Sequence, residues 1–198
     1  MFTGIVATTG KITQLQPLEQ GVRLTVEAPG LNLKDVALGD SIAHNGVCLT
    51  VIAKQKTSYQ IDVSKETLDC TVGLEAPGGE VNLEKAMRLS DFIGGHLVSG
   101  HVDGVGEVIT FEPIGESHRL IIRAPKKLAK YIARKGSITI DGVSLTTNKV
   151  GGKSGREFSI NLIPHTVQVT TLKRLKPGAL VNLEVDLIAR YVERMLKA

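Results

Sequence analysis

"SIAHNGVCLTV" at residues 41–51 and "SITIDGVSLTT" at residues 137–147 align without a gap, placing Ser41 on Ser137, Gly46 on Gly142, Cys48 on Ser144 and Thr50 on Thr146. The offset is 96, that is 137 less 41. It holds upstream, where "RLTVEAP" from Arg23 overlays "RLIIRAP" from Arg119, and "TGIVATTGKI" from Thr3 overlays "SGHVDGVGEV" from Ser99. Downstream it grows to 100, where "VNLEKA" at 81–86 overlays "VNLEVD" at 181–186. Matches that keep their order along most of each half identify a tandem duplication, and the change of offset predicts a small insertion in the turn "KVGGKSGREF" of the second copy.

Each copy reads as β structure. Runs such as "GVRLTVEAP", "SIAHNGVCLTVIAKQ", "SYQIDVS" and "LVNLEVD" are rich in Val, Ile, Leu and Thr and are separated by glycine-bearing turns. "MFTGIV" at the N-terminus is strand-like too. Many short strands without helical crossovers predict an all-β chain of two tandem homologous Greek-key antiparallel barrels, a closure that removes exposed strand edges. The expected division is a first barrel over 1–97, a second over 98–186 and a terminal helix over 187–198, with the boundary in "MRLSDFIGG". In "DLIARYVERMLKA", Leu187 and Ile188, Tyr191 and Val192, then Met195 and Leu196 recur at helical spacing behind Asp186, a helix-capping residue type. Such a stripe needs a partner, either the barrels or another subunit.

The chain has 198 residues, 21 glycines, two cysteines and a formal net charge of +4. The charges are scattered rather than massed, which does not imply nucleic acid, and no apolar run is long enough to span a bilayer. With no leader-like segment, a cytoplasmic protein with reduced thiols is expected. "GVGEV" lacks a full dinucleotide fingerprint, and "REFS" at 156–159, similar to a short flavin-reductase motif, has no nicotinamide domain behind it. Cys70 reads as a small packing residue. His96 and His101, in "GGHLVSGHVDG", are five apart; that fits neither a helix face nor a strand face, and no acidic or thiol cluster stands beside them, so no metal site is expected.

"MFTGIV", "NGVCLTV", "GGHLVSGHVDG", "DGVSLT", "LIPHTVQVTTL" and the two "VNLE" segments together resemble the riboflavin synthase family, over the whole chain and in order. The resemblance implies two barrels and a C-terminal helix assembling into a homotrimer with active sites between subunits. It also implies dismutation of two molecules of 6,7-dimethyl-8-ribityllumazine to riboflavin and 5-amino-6-(D-ribitylamino)uracil, by transfer of a four-carbon unit and without a cofactor. A reaction between two copies of one molecule suits two copies of one pocket. The copies must then differ where atoms react, and Cys48 facing Ser144, Ile5 facing His101 and Ala86 facing Asp186 are such differences.

Carried over by residue, the resemblance implies a first substrate pocket from Gly4, Ile5 and Val6, from Cys48, Leu49 and Thr50, and from Asp62, Val63, Ser64, Lys65, Glu66 and Thr67. Its image uses Gly100, His101 and Val102, then Ser144, Leu145 and Thr146, then Asn161, Leu162, Ile163, Pro164, His165 and Thr166, with Lys135 reaching a ligand held by a neighbouring subunit. Main-chain groups at a barrel rim suit the uracil-like edge of a pteridine, and hydroxyls suit a ribityl chain. The C7 methyl of the lumazine is acidic, so a positioned base suffices. His101 is the candidate for proton transfer, with Ser144 near it. Cys48 adds to or stabilises the acceptor lumazine, or only packs. Asp186 orients a catalytic group or only caps the helix, and His96 stays in the glycine turn as a structural residue. The alternative is a non-catalytic lumazine- or flavin-carrying antenna protein, which predicts erosion of the reactive residues.

Overall fold

The computed structural model describes residues 1–197; Ala198, the last residue of the expected helical span 187–198, lies outside them. The first copy comprises β1 (Thr8–Leu18), β2 (Gly21–Glu27), β3 (Ser41–His44), β4 (Val47–Lys54), β5 (Ser58–Ser64), α1 (Lys65–Cys70) and β6 (Glu80–Lys85). Its antiparallel strands close into a barrel in the order β1-β2-β5-β4-β3-β6. The second copy comprises β7 (Gly104–Ile114), β8 (Ser117–Arg123), β9 (Ser137–Ile140), β10 (Val143–Thr146), β11 (Lys149–Gly151), β12 (Glu157–Leu162), α2 (Pro164–Val169) and β13 (Leu180–Val185), and ends in α3 (Leu187–Leu196). Its order, β10-β9-β13-β7-β8-β12-β11, repeats the first cycle with the β4 equivalent cut into β10 and β11. The cut falls where β4 itself shifts register, between Val51 and Ala53.

The pairings locate the insertion. Arg23 pairs with Asp62 in the first copy, and Arg119 with Asn161 in the second, so the offset rises from 96 to 99 between these strands. The added residues sit in the expected hairpin, where the turn between β11 and β12 is longer than that between β4 and β5. Inward residues of each barrel make its core: Ile12, Leu24, Ile61 and Leu83 in the first, and Val108, Leu120, Ile160 and Leu183 in the second.

Three local expectations change. "MFTGIV" contributes one bridge, Phe2 to Val98, instead of a strand. Short helices α1 and α2 follow β5 and β12, where only strand and turn were expected, the first capped by the Ser64 side chain on Thr67 N–H and the second opened by Pro164. Cys70 is exposed, with Sγ 3.9 Å from Glu66 Oε1, and does not pack. The terminal helix forms as expected, with Asp186 accepting from Ile188 N–H. No helix among the described residues is long and apolar enough to cross a membrane.

The barrels meet at two glycine turns. Asn45-Gly46 and Asp141-Gly142 close the β3–β4 and β9–β10 hairpins with positive φ at all four residues, as two-residue hairpin turns require. They pack back to back, and a Cβ on Gly142 would lie 2.7 Å from Gly46 N. The two "VNLE" strands flank them. Val81 and Leu83, like Val181 and Leu183, face the barrel cores, so the alternation of a strand turns Asn82, Glu84, Asn182 and Glu184 to the opposite face, between the barrels. Asn82 Nδ2 donates to Asp141 O at 2.9 Å, and Asn182 Nδ2 donates to Asn45 O at 3.1 Å.

Candidate functional site

Two chain segments leave their own copy. Residues 2 and 98 pair as an antiparallel bridge, with Phe2 N–H donating to Val98 O at 2.8 Å and Val98 N–H to Phe2 O at 3.0 Å. Beyond the crossing, Gly4 O accepts from Ser144 N–H at 2.8 Å, whereas Gly100 O accepts from Cys48 N–H at 2.9 Å. Val6 packs on the second core and Val102 on the first. The expected grouping is therefore corrected. Gly4, Ile5 and Val6 lie with Ser144, Leu145 and Thr146, and Gly100, His101 and Val102 lie with Cys48, Leu49 and Thr50.

Close approach explains the glycines. Gly4 and Gly100 have φ of +75° and +80°, and a Cβ on either would come within 2.6 Å of Ser144 Cβ or Cys48 Cβ respectively. The "VNLE" glutamates hold these straps from behind. Glu84 accepts from Thr3 N, Thr3 Oγ1 and Gly4 N at 2.6, 2.7 and 3.0 Å. Glu184 accepts from Ser99 N, Ser99 Oγ and Gly100 N at 2.7, 2.6 and 3.0 Å. Burial pushes the Glu84 carboxyl above its usual range, and the hydrogen bonds from Thr3 and Gly4 act against that shift.

The two sites differ chemically as well as in sequence. Cys48 packs against the small apolar cluster of Phe2, Ala43 and Val98. Ser144 Oγ instead lies 2.7 Å from His96 Nδ1. Burial lowers the His96 pKa, and the nearby Asp186 charge opposes that shift. A neutral imidazole is thereby favoured at pH 7, and it can take the hydroxyl proton at Nδ1. Within one chain, His96 and not His101 is the histidine bonded to Ser144. His101 is exposed on the other strap, with its carbonyl accepting from Arg190 Nη2 at 3.0 Å. His96, read from the sequence as structural, is the histidine in contact with the serine. Spacing carried no signal for it, because a hydrogen bond across 48 residues depends on the strap crossing.

The remaining predicted residues fall on the rims. Leu49, Val63 and Leu162 point into the cores and Leu145 packs against one, so only their main chains remain for a ligand. Thr50, Thr146, Asn161, Ile163, Pro164 and His165 are exposed, and Thr166 is half-buried. Asp62 is held by Arg23 at 2.8 Å, Ser64 and Thr67 bond each other at 3.0 Å, and Lys65 pairs with Asp69, while Glu66 stays exposed. Lys135 is exposed in a left-handed conformation, φ +66°. A cavity of about 500 Å³ beside the first barrel is lined by Ser41, Glu84 and Arg88 among others, and neither Cys48 nor Ser144 lines it.

Comparison with known proteins agrees with this duplicated plan. The lumazine binding domain family matches the chain twice, over residues 3–86 and 99–186. A riboflavin synthase of Photobacterium phosphoreum is 47% identical over 99% of this chain and 89% of its own length. Those of Mycobacterium bovis and Bacillus subtilis are 43% and 41% identical, covering 100% and 99% of this chain and 99% and 90% of their own lengths. Among solved structures, LumP complexed with 6,7-dimethyl-8-(1'-D-ribityl) lumazine superposes with a TM-score of 0.81 at 26% identity, covering 93% of this chain and 99% of that one. LumP complexed with riboflavin gives 0.82 at 28% identity, with the same coverage. With two lumazine binding domains and such identity over nearly its whole length, the chain belongs to the riboflavin synthase family.

Proposed function

We propose that this protein is a riboflavin synthase, converting two molecules of 6,7-dimethyl-8-ribityllumazine into riboflavin and 5-amino-6-(D-ribitylamino)uracil. The atoms of the two products sum to those of the two substrates, so the reaction needs no oxidant. One observation carries the reading: two matched sites, each completed by a strap from the other copy, differ at the residue where chemistry would occur, Cys48 in one and the Ser144–His96 pair in the other. Ser144 and His96 move the proton of the C7 methyl. Cys48 faces the second lumazine, Asp186 supports His96 while capping α3, and His101 presents from the strap over the Cys48 site. The exposed threonines and the main chains of the rim strands bind ribityl and pteridine.

The working form is a homotrimer in the cytoplasm, with each active site between the Cys48 face of one subunit and the Ser144 face of the next, and with Lys135 reaching across. Helix α3 supports this. Its polar side is bound to its own barrel, where Arg190 pairs with Asp103 at 2.8 Å and Glu193 bonds Lys130 and Tyr131. Its apolar residues Ile188, Tyr191, Met195 and Leu196 are 64–82% exposed. An apolar stripe turned away from its own fold needs another subunit.

Incubating the protein with the lumazine in the absence of reductant tests the activity. Riboflavin should form with one uracil product per riboflavin; a stable bound fluorophore without turnover would instead mark a binding protein. Mixing Cys48→Ser with Ser144→Ala subunits should restore activity if sites are shared, and failure in mass-verified mixed assemblies would overturn sharing.

A further inference from the structure

Both "VNLE" segments end in a buried glutamate, and the functional reading gives neither one a task. Glu84 and Glu184 are only 9% and 2% exposed, and each places its carboxylate on three donors of a strap. A carboxylate only accepts, so three converging donors suit it and no other side chain of that shape. At the same glycine whose N–H the carboxylate holds, the strap crosses to the other copy: Gly4 O meets Ser144 N–H at 2.8 Å, and Gly100 O meets Cys48 N–H at 2.9 Å. The next residues, Ile5 and His101, stand exposed at the sites.

We infer that Glu84 and Glu184 are positioning residues that act crosswise, Glu84 of the first barrel setting the Ser144 site of the second, and Glu184 of the second barrel setting the Cys48 site of the first. The inference rests on the proposed function. Glu84 belongs to a strand of the first barrel, between β1 and β3, so an ordinary fold role would tie it to Cys48 in that same barrel. The strap ties it to Ser144 instead. Replacing Glu84 by Gln keeps the shape but turns an NH2 group toward a backbone N–H, which displaces Thr3 or Gly4 and, through Gly4 O, the Ser144 strand. The same substitution at Glu184 displaces Ser99 or Gly100 and the Cys48 strand.

Double-mutant cycles on the full-length protein read this directly, since residues linked through one strap are coupled and distant ones are additive. Glu84→Gln combined with Ser144→Ala should lose at least about 5-fold less kcat/KM than the product of the two single losses, while Glu84→Gln with Cys48→Ser should lose the full product, within about 2-fold. Glu184→Gln should show the reverse pattern. Thr3→Val and Ser99→Ala, which each remove one hydroxyl donor to the same carboxylates, should repeat the pattern at smaller amplitude and stand in if a glutamine variant does not fold. The cycles are also read by riboflavin affinity, which needs no turnover, with riboflavin formation by the unsubstituted chain as the separate control on the functional reading. Coupling of Glu84 to Cys48, or additivity with both sites, overturns the crosswise role even if the enzyme is active.

Discussion

Removing the Asn182 side chain should loosen the junction between the barrels. Its amide holds three groups at once: Nδ2 donates to Asn45 O at 3.1 Å and to Val72 O at 3.0 Å, and Oδ1 accepts from Val72 N–H at 2.9 Å. Asn182 and Asn45 are buried, and Val72 is half-buried. Asn182→Ala leaves one N–H and two carbonyls without protein partners. At roughly 1 kcal/mol each, the low end for a lost buried partner because water reaches Val72, the total is about 3 kcal/mol. For a chain of this size that corresponds to a fall in Tm of about 6–12 °C. Asn82→Ala, which frees Thr171 N–H and Asp141 O, should cost about 2 kcal/mol. Urea unfolding followed by near-ultraviolet circular dichroism measures both, and scanning calorimetry should show the Asn182→Ala transition splitting as the barrels uncouple. A loss below about 1 kcal/mol with a single sharp transition would refute the view that this amide network joins the barrels.

Further outcomes follow from other buried groups. His44 and Tyr59, bonded at 2.7 Å inside the first barrel, occupy the positions of Ile140 and Phe158 in the second, so His44→Ile alone should cost about 1–3 kcal/mol by orphaning the phenol, whereas His44→Ile/Tyr59→Phe should be nearly neutral in urea denaturation. Burial raises the Asp141 pKa to about 7, above its unfolded value; that stabilisation is complete below about pH 4 and is lost as pH rises through 7, so Asp141→Asn should flatten that decline when stabilities at pH 5 and pH 8 are compared. His44 has the opposite sense: burial lowers its pKa to about 4, so its contribution is present above about pH 6.5 and is lost toward pH 4, which is why the Asp141 effect is read against the variant rather than from the parent curve alone. His96→Ala should lower kcat by about 10²-fold or more with little change in riboflavin affinity, and an equal fall in affinity would assign His96 to binding. A fragment of residues 1–103 should bind riboflavin more tightly than one of residues 1–97, because only the longer one carries Gly100 and Val102 onto the first barrel; equal affinities in a fluorescence titration would place the strap outside the site.

Local information in the chain was enough for the duplication, the barrel strands and the terminal helix, though not for the lone bridge of "MFTGIV" or the short helices α1 and α2. Alternation of Val, Ile and Leu marks which side of a strand meets a core, and that pattern survives in any register that keeps the core buried. The Asp186 cap and the stripe from Leu187 to Leu196 depend on residues within a few positions of each other. The identity of "VNLE" in both copies marked its importance, but not its reason, since a polar residue between Val and Leu reads as solvent-facing until a second barrel covers that face. The strap exchange, the Ser144–His96 contact and the two glutamate clamps belong to the tertiary structure alone. Aligning the copies pairs Gly4 with Gly100 and Cys48 with Ser144, and it suggests that each strap stays with its own barrel. A pseudosymmetric pair of straps satisfies the same alignment whether they stay or cross. The choice is made by backbone hydrogen bonds between residues 52 to 140 positions apart, the crossing at Phe2 and Val98 and the contacts to Cys48 and Ser144, which no periodicity along the chain records.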